Sequence, residues 1–220
     1  MNNEIIQTIA VYALPVLFAV TLHEAAHAYA ARYFGDTTAY SQGRMSLNPM
    51  VHIDPFGTIL LPILMYVASG GSFLFGYAKP VPVNFGQLRK PKRDMAWVAL
   101  AGPMANFVMA FGWIIVQLVL RYSGVQEEFF LRMAEAGVLS NLMMFAFNLV
   151  PIPPLDGGRI AISLLPHKLA YKFAQLEPYG MIIVLALSFL QILKFWLIPL
   201  LSLGLLALTL LSQPLQWLLQ

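Results

Sequence analysis

His23, Glu24 and His27 stand together as His-Glu-x-x-His within Val20–Tyr29, inside a long apolar run. On a helix, residues four apart share a face, so His23 and His27 offer two imidazoles to one point with Glu24 close by. That spacing suits zinc with a carboxylate as general base. Catalytic zinc takes three protein ligands and keeps one position open, so a third ligand is required. The chain has no cysteine, which leaves His, Asp and Glu. The other histidines are His52 and His167, and the candidate carboxylates are Asp36, Asp54, Asp94, Glu135 and Asp156. Asp156 is the best third ligand. It sits in Pro151-Ile152-Pro153-Pro154-Leu155-Asp156-Gly157-Gly158-Arg159, where the prolines stop a helix and Gly157 and Gly158 permit close approach to another helix. The plainer alternatives are a polar packing stripe for the histidines and a helix N-cap for Asp156.

The elements that position these groups belong to a membrane. Of 220 residues, 59% are hydrophobic and 10% charged, where a soluble domain carries about 25% charged residues. Several apolar runs approach the roughly 20 residues that cross a bilayer. The net charge of +3 comes from clustered basic residues. That clustering marks topology and gives no sign of a nucleic-acid partner. The first apolar run lacks a basic start and carries the ionisable residues, so it does not read as a cleavable signal peptide.

In chain order, Ile5 to Phe34 reads as one helix ended by Arg32, Gly35 and Asp36. Thr37 to Pro55 reads as loop, in which His52 and Asp54 suit a stabilising turn. Gly57 to Ala68 is short for a span and suits a re-entrant or tilted segment, ended by Gly70 and Gly71. Lys79-Pro80-Val81-Pro82-Val83-Asn84 is extended. Its prolines blank one edge and leave the other able to pair with a substrate strand. A stiff loop is the plainer alternative. Asp94 to Leu120 and Met133 to Val150 read as spans, the first with Asn106 as a polar group that needs a partner in lipid. Ile160 to Leu176 reads as peripheral, and Pro178–Leu193 with Ile198–Leu211 as a closing hairpin. The expected fold is an all-α polytopic membrane protein. It has five to six membrane segments, a small β or extended element and a re-entrant segment. We expect one domain over 1–220, with a core at about 5–165 and a helical hairpin at about 178–212.

If Gly57–Ala68 is re-entrant, Arg32, Arg44, Lys79, Arg89, Lys90, Lys92, Arg93, Arg159, Lys168 and Lys172 share one side of the membrane. The positive-inside rule makes that side cytoplasmic. His23, His27 and Asp156 then lie at one cytoplasm-facing depth. The absence of cysteine suits a bacterial cytoplasmic (inner) membrane.

Two motifs now resemble a known family. His23-Glu24-x-x-His27 resembles the zinc motif of the site-2 proteases, and Asn148-Leu-Val-Pro-Ile-Pro-Pro-Leu-Asp156-Gly157 resembles their second motif. Gly102-Pro103-x-x-Asn106 is similar to their middle helix. The resemblance spans roughly residues 15–165 and implies intramembrane zinc proteolysis. Under it, His23, His27 and Asp156 bind Zn2+, Glu24 activates water, and Asn148 holds substrate or the oxyanion. An interhelical hydrogen bond is the plainer role for Asn148. The implied member is minimal, without PDZ or CBS domains. Its partners are transmembrane protein substrates and membrane lipid, with the oligomeric state left open.

Two other function classes compete. One is a transporter or ion pathway using the buried His, Glu and Asp, although the chain shows no paired repeats. The other is a catalytically silent scaffold that binds membrane helices, for which Glu24 would be superfluous.

Overall fold

The computed structural model describes residues 2–68 and 76–218, and among them every regular element is helical. Gly70 and Gly71 lie outside the described residues. The helices are α1 (Asn2–Phe34), the single turn α2 (Thr38–Ser41), α3 (Leu61–Ala68), α4 (Pro91–Tyr122), α5 (Glu128–Asn148), α6 (Asp156–Leu164), α7 (His167–Ala174), α8 (Glu177–Phe189) and α9 (Lys194–Leu218).

Among the described residues, four stretches are long and apolar enough to cross a bilayer: Ile6–Phe34, Pro91–Tyr122, Glu128–Asn148 and Lys194–Trp217. Pro55–Val67 and Glu177–Phe189 are apolar but shorter. The core is a bundle of α1, α4 and α5, with α6 packed on α4 and α9 on α4 and α5. Small residues permit this. Ala110 of α4 is fully enclosed between Leu142 of α5 and Leu208 of α9.

Three expectations change. Ile160–Leu176 is not one peripheral piece. Pro166 breaks it into α6 and α7, and α6 begins at Asp156 with Asp156, Gly157 and Gly158 buried. Gly157 lies against the Leu149 carbonyl at the end of α5, whereas Gly158 lies against the loop. A Cβ on Gly158 would lie 2.4 Å from the Ile152 carbonyl carbon, so the space is filled by the proline-rich loop itself. The closing helix is longer than expected, because Pro199 and Pro214 lie within α9 without ending it.

The Lys79–Asn84 stretch is extended but joins no β ladder among the described residues. Three of its four N–H groups are taken by other partners. Lys79 donates to the His52 carbonyl at 2.9 Å, Val81 to Glu24 at 2.7 Å and Asn84 to Asp36 at 2.7 Å. Arg44 Nη2 holds the carbonyls of Lys79 and Pro80 at 3.0 and 3.2 Å. Val81 packs with Ala28 and Ala39 against the α1 face that follows His27.

Candidate metal centre

α1 places His23 and His27 one turn apart, and α5 with the loop after it returns Asp156 to meet them. Asp156 Oδ2 lies 3.3 Å from Nε2 of each histidine, and the two Nε2 atoms are 3.0 Å apart. All three side chains are buried.

The hydrogen-bond partners decide what these atoms offer. His27 Nδ1 lies 2.7 Å from the Val98 carbonyl, which can only accept, so Nδ1 carries the hydrogen. His23 Nδ1 lies 2.7 Å from Asn106 Oδ1. Asn106 Nδ2 in turn donates to the Ala19 carbonyl at 3.1 Å and to Asn141 Oδ1 at 3.0 Å. Asn141 Nδ2 donates to the Gly137 carbonyl at 2.9 Å. The backbone carbonyls at Ala19 and Gly137 thus assign both amide orientations, and His23 Nδ1 is also a donor. In the neutral form each imidazole then directs its Nε2 lone pair towards Asp156 Oδ2, which is buried without a hydrogen-bond partner.

Three acceptors facing one another under low dielectric repel unless a cation lies between them. The spacing suits zinc. Ligands about 2.0–2.1 Å from a tetrahedral ion stand about 3.3 Å apart. α4 makes the room: a Cβ on Gly102 would run into His27 Nε2 and lie 2.6 Å from His23 Cε1.

The competing carboxylates are committed elsewhere. Asp36 accepts from the Thr38 and Asn84 N–H groups, Asp54 accepts from the Gly57 N–H at 2.6 Å, and Asp94 accepts from the Lys90 N–H at 2.8 Å. Glu135 faces Arg121 and Gln117. Asp156 makes no N-cap hydrogen bond, unlike Asp54. His52 donates from Nε2 to the Ser46 carbonyl at 2.9 Å, within its own loop.

Glu24 is half-buried beside His23, with Oε2 on the Val81 N–H. Asn148 ends α5 and donates its amide to the Met144 carbonyl at 3.0 Å, a contact within its own helix. Pro80, Val81, Pro82, Val83 and Asn84 lie along α1 as described, joined to the centre through Glu24. The sequence alone did not single out Asn141, the Val98 carbonyl or the Gly102 clearance. A buried Asn on a neighbouring span was the one available signal for Asn141.

A model of peptidase family M50 matches residues 11–190 of the sequence. The chain belongs to peptidase family M50. It is 38% identical to YwhC of Bacillus subtilis, named as a candidate zinc metalloprotease, over 87% of this chain and 85% of that protein. It is 31% identical to Rip2 of Mycolicibacterium smegmatis, named likewise, over 82% of this chain and 67% of that protein. The zinc metalloprotease MJ0392 of Methanocaldococcus jannaschii is 28% identical over 78% of this chain and 38% of its own length. No solved structure gives a significant match. This M50 chain is an integral membrane zinc metalloprotease, of the site-2 protease type that the paired motifs resemble.

Proposed function

We propose that His23, His27 and Asp156 hold the zinc of this intramembrane endopeptidase and that Glu24 is its general base. The observation that carries this is the convergence of three lone pairs beside Glu24. Zinc held there lowers the pKa of water towards neutrality and polarises a carbonyl. Glu24 keeps Oε1 to take the water proton and pass it to the leaving amine nitrogen, while its Oε2 stays on Val81. Asn148 uses one amide hydrogen on Met144 and has a second for a substrate carbonyl.

The substrates are transmembrane proteins, presented within lipid. A helical substrate must unwind before attack, since its carbonyls are bonded internally. The Pro80–Asn84 stretch is the docking strand. With the Lys79 and Val81 N–H groups engaged, a substrate strand is left with the Val83 N–H and the carbonyls near it.

The centre lies within the bilayer and opens to the cytoplasmic side. His23 precedes the end of α1 by about 16 Å of helix rise. Arg89 ties the start of α4 to the end of α1 through the Phe34 carbonyl at 2.9 Å, which puts the basic residues of both on one side. The short stretch from Gly57 to Ala68 reads as re-entrant. The Tyr77 N–H donates to the Gly57 carbonyl at 2.9 Å, so the chain comes back to the level at which it entered. The whole of 1–220 then forms one domain, and an absence of cysteine with relatives in Bacillus subtilis and mycobacteria suits a bacterial cytoplasmic membrane.

The test is zinc content and cleavage of a transmembrane peptide by purified wild type and Glu24→Gln. Zinc retained by both and cleavage lost in the variant supports the assignment. Full cleavage by Glu24→Gln, or zinc in neither protein, overturns it. No observation favours an ion pathway or a silent scaffold.

A further inference from the structure

We propose that Asn106 is a positioning residue of the metal centre: its Oδ1 fixes His23 in the one tautomer that can bind zinc through Nε2. This rests on His23 being a zinc ligand.

The histidines receive their Nδ1 acceptors from the same helix, α4, in two different ways. His27 uses the Val98 carbonyl, a group locked in the helix backbone. His23 uses a side-chain amide, which has a donor end and an acceptor end. Rotated by 180°, the Asn106 amide would present N–H to His23 Nδ1. The imidazole would then carry its hydrogen on Nε2, pointing into the centre, and no lone pair would remain for the metal. A side chain in this position works only if its orientation is held.

The structure holds it. Asn106 is fully buried, so water does not compete for its amide. Both amide hydrogens are used, one on Ala19 of α1 and one on Asn141 of α5. Asn141, also fully buried, is oriented by the Gly137 carbonyl and so can offer Asn106 only its oxygen. A flipped Asn106 would set its oxygen against two acceptors at once. The packing of α1, α4 and α5 is thereby converted into a proton position on His23.

An interhelical tether alone would also use these bonds, so the test separates the two roles. The measurements are zinc affinity by chelator competition, cobalt ligand-field absorption and thermal melting, on the full chain in detergent. Asn106→Leu removes the acceptor and should weaken zinc binding about 10- to 100-fold, with altered cobalt bands. Asn106→Asp keeps an acceptor for His23 but loses both amide donors. It should melt lower than wild type and still bind zinc with near wild-type affinity. Asn106→Asp losing as much affinity as Asn106→Leu, or Asn106→Leu binding zinc like wild type, overturns the proposal. Should Asn106→Leu lose its helical circular dichroism, the dissociation between melting and affinity in Asn106→Asp decides alone. His23→Ala is the control. If it binds zinc like wild type, the ligand assignment itself fails. If it loses zinc and Asn106→Leu does not, only the positioning role fails.

Discussion

The backbone N–H of Val81 donates to Oε2 of Glu24 at 2.7 Å, so the extended segment is fastened to the carboxylate assigned to proton transfer. Strand and base are therefore one unit, and the two valines of the segment should fail differently when changed. Val81→Pro removes the N–H that aims Glu24. We expect kcat to fall about 10- to 100-fold with zinc retained, the worth of a hydrogen bond to a charged group. Val83→Pro leaves Glu24 alone and removes the N–H available to substrate, so KM rises and kcat holds. Steady-state kinetics on a transmembrane peptide separates them; identical effects on both constants would show that the segment acts only as a loop.

Gly102 and Gly112 lie on the same helix and offer a matched pair. A Cβ at Gly102 meets both imidazoles, whereas a Cβ at Gly112 meets nothing within 4 Å. Gly102→Ala should lose zinc affinity and about 1–3 kcal/mol of stability through overpacking. Gly112→Ala should bind zinc normally and melt slightly higher, since Ala is favoured over Gly in a helix by about 1 kcal/mol. Zinc titration and thermal melting of both variants check this.

Zinc should stabilise the fold through Asp156. A ligand that binds only the folded state adds about 2.7 kcal/mol at a free concentration 100 times its Kd. Wild type should show a rise in Tm across a zinc titration. Asp156→Ala should show little or none over the same range. An equal rise in both would place the bound metal elsewhere.

Asp36 is buried, and it holds the far end of the extended segment through the Asn84 N–H while its other oxygen closes the turn at Thr38. Asp36→Ala leaves those donors unpaired, at a cost of about 1–3 kcal/mol. We expect unchanged zinc affinity and a raised KM, because the segment loses its anchor but the centre keeps its ligands. A loss of zinc in this variant would mean that the segment supports the metal site itself.

The meeting of His23, His27 and Asp156 was legible in the sequence because its constraints are local and chemical. Two histidines four apart read directly as one helical face, and a carboxylate between prolines and glycines had to sit where backbone is irregular. The membrane spans were legible for the same reason, as long apolar runs. What stayed hidden depends on which helix meets which. Nothing around Asn141 announces that its oxygen faces Asn106, and nothing around Gly102 announces two imidazole rings. The extended segment was read correctly as proline-stiffened, yet its open edge is half occupied, because Glu24 and the His52 carbonyl are brought to it from distant parts of the chain. Asp36 was weighed as a ligand and is a tether, a distinction that only its partners make.

Asp156 follows the histidine pair by most of the chain, across α4 and α5. That order has a meaning in time. While the protein is being synthesised, the two imidazoles enter the membrane long before the third ligand exists, and the acceptors on α4 arrive in between. A ribosome-bound chain that has exposed α1 alone holds a base and two ligands but cannot complete the centre. With the proposed ligand set, proteolytic competence waits until α5 and the loop after it have been laid down.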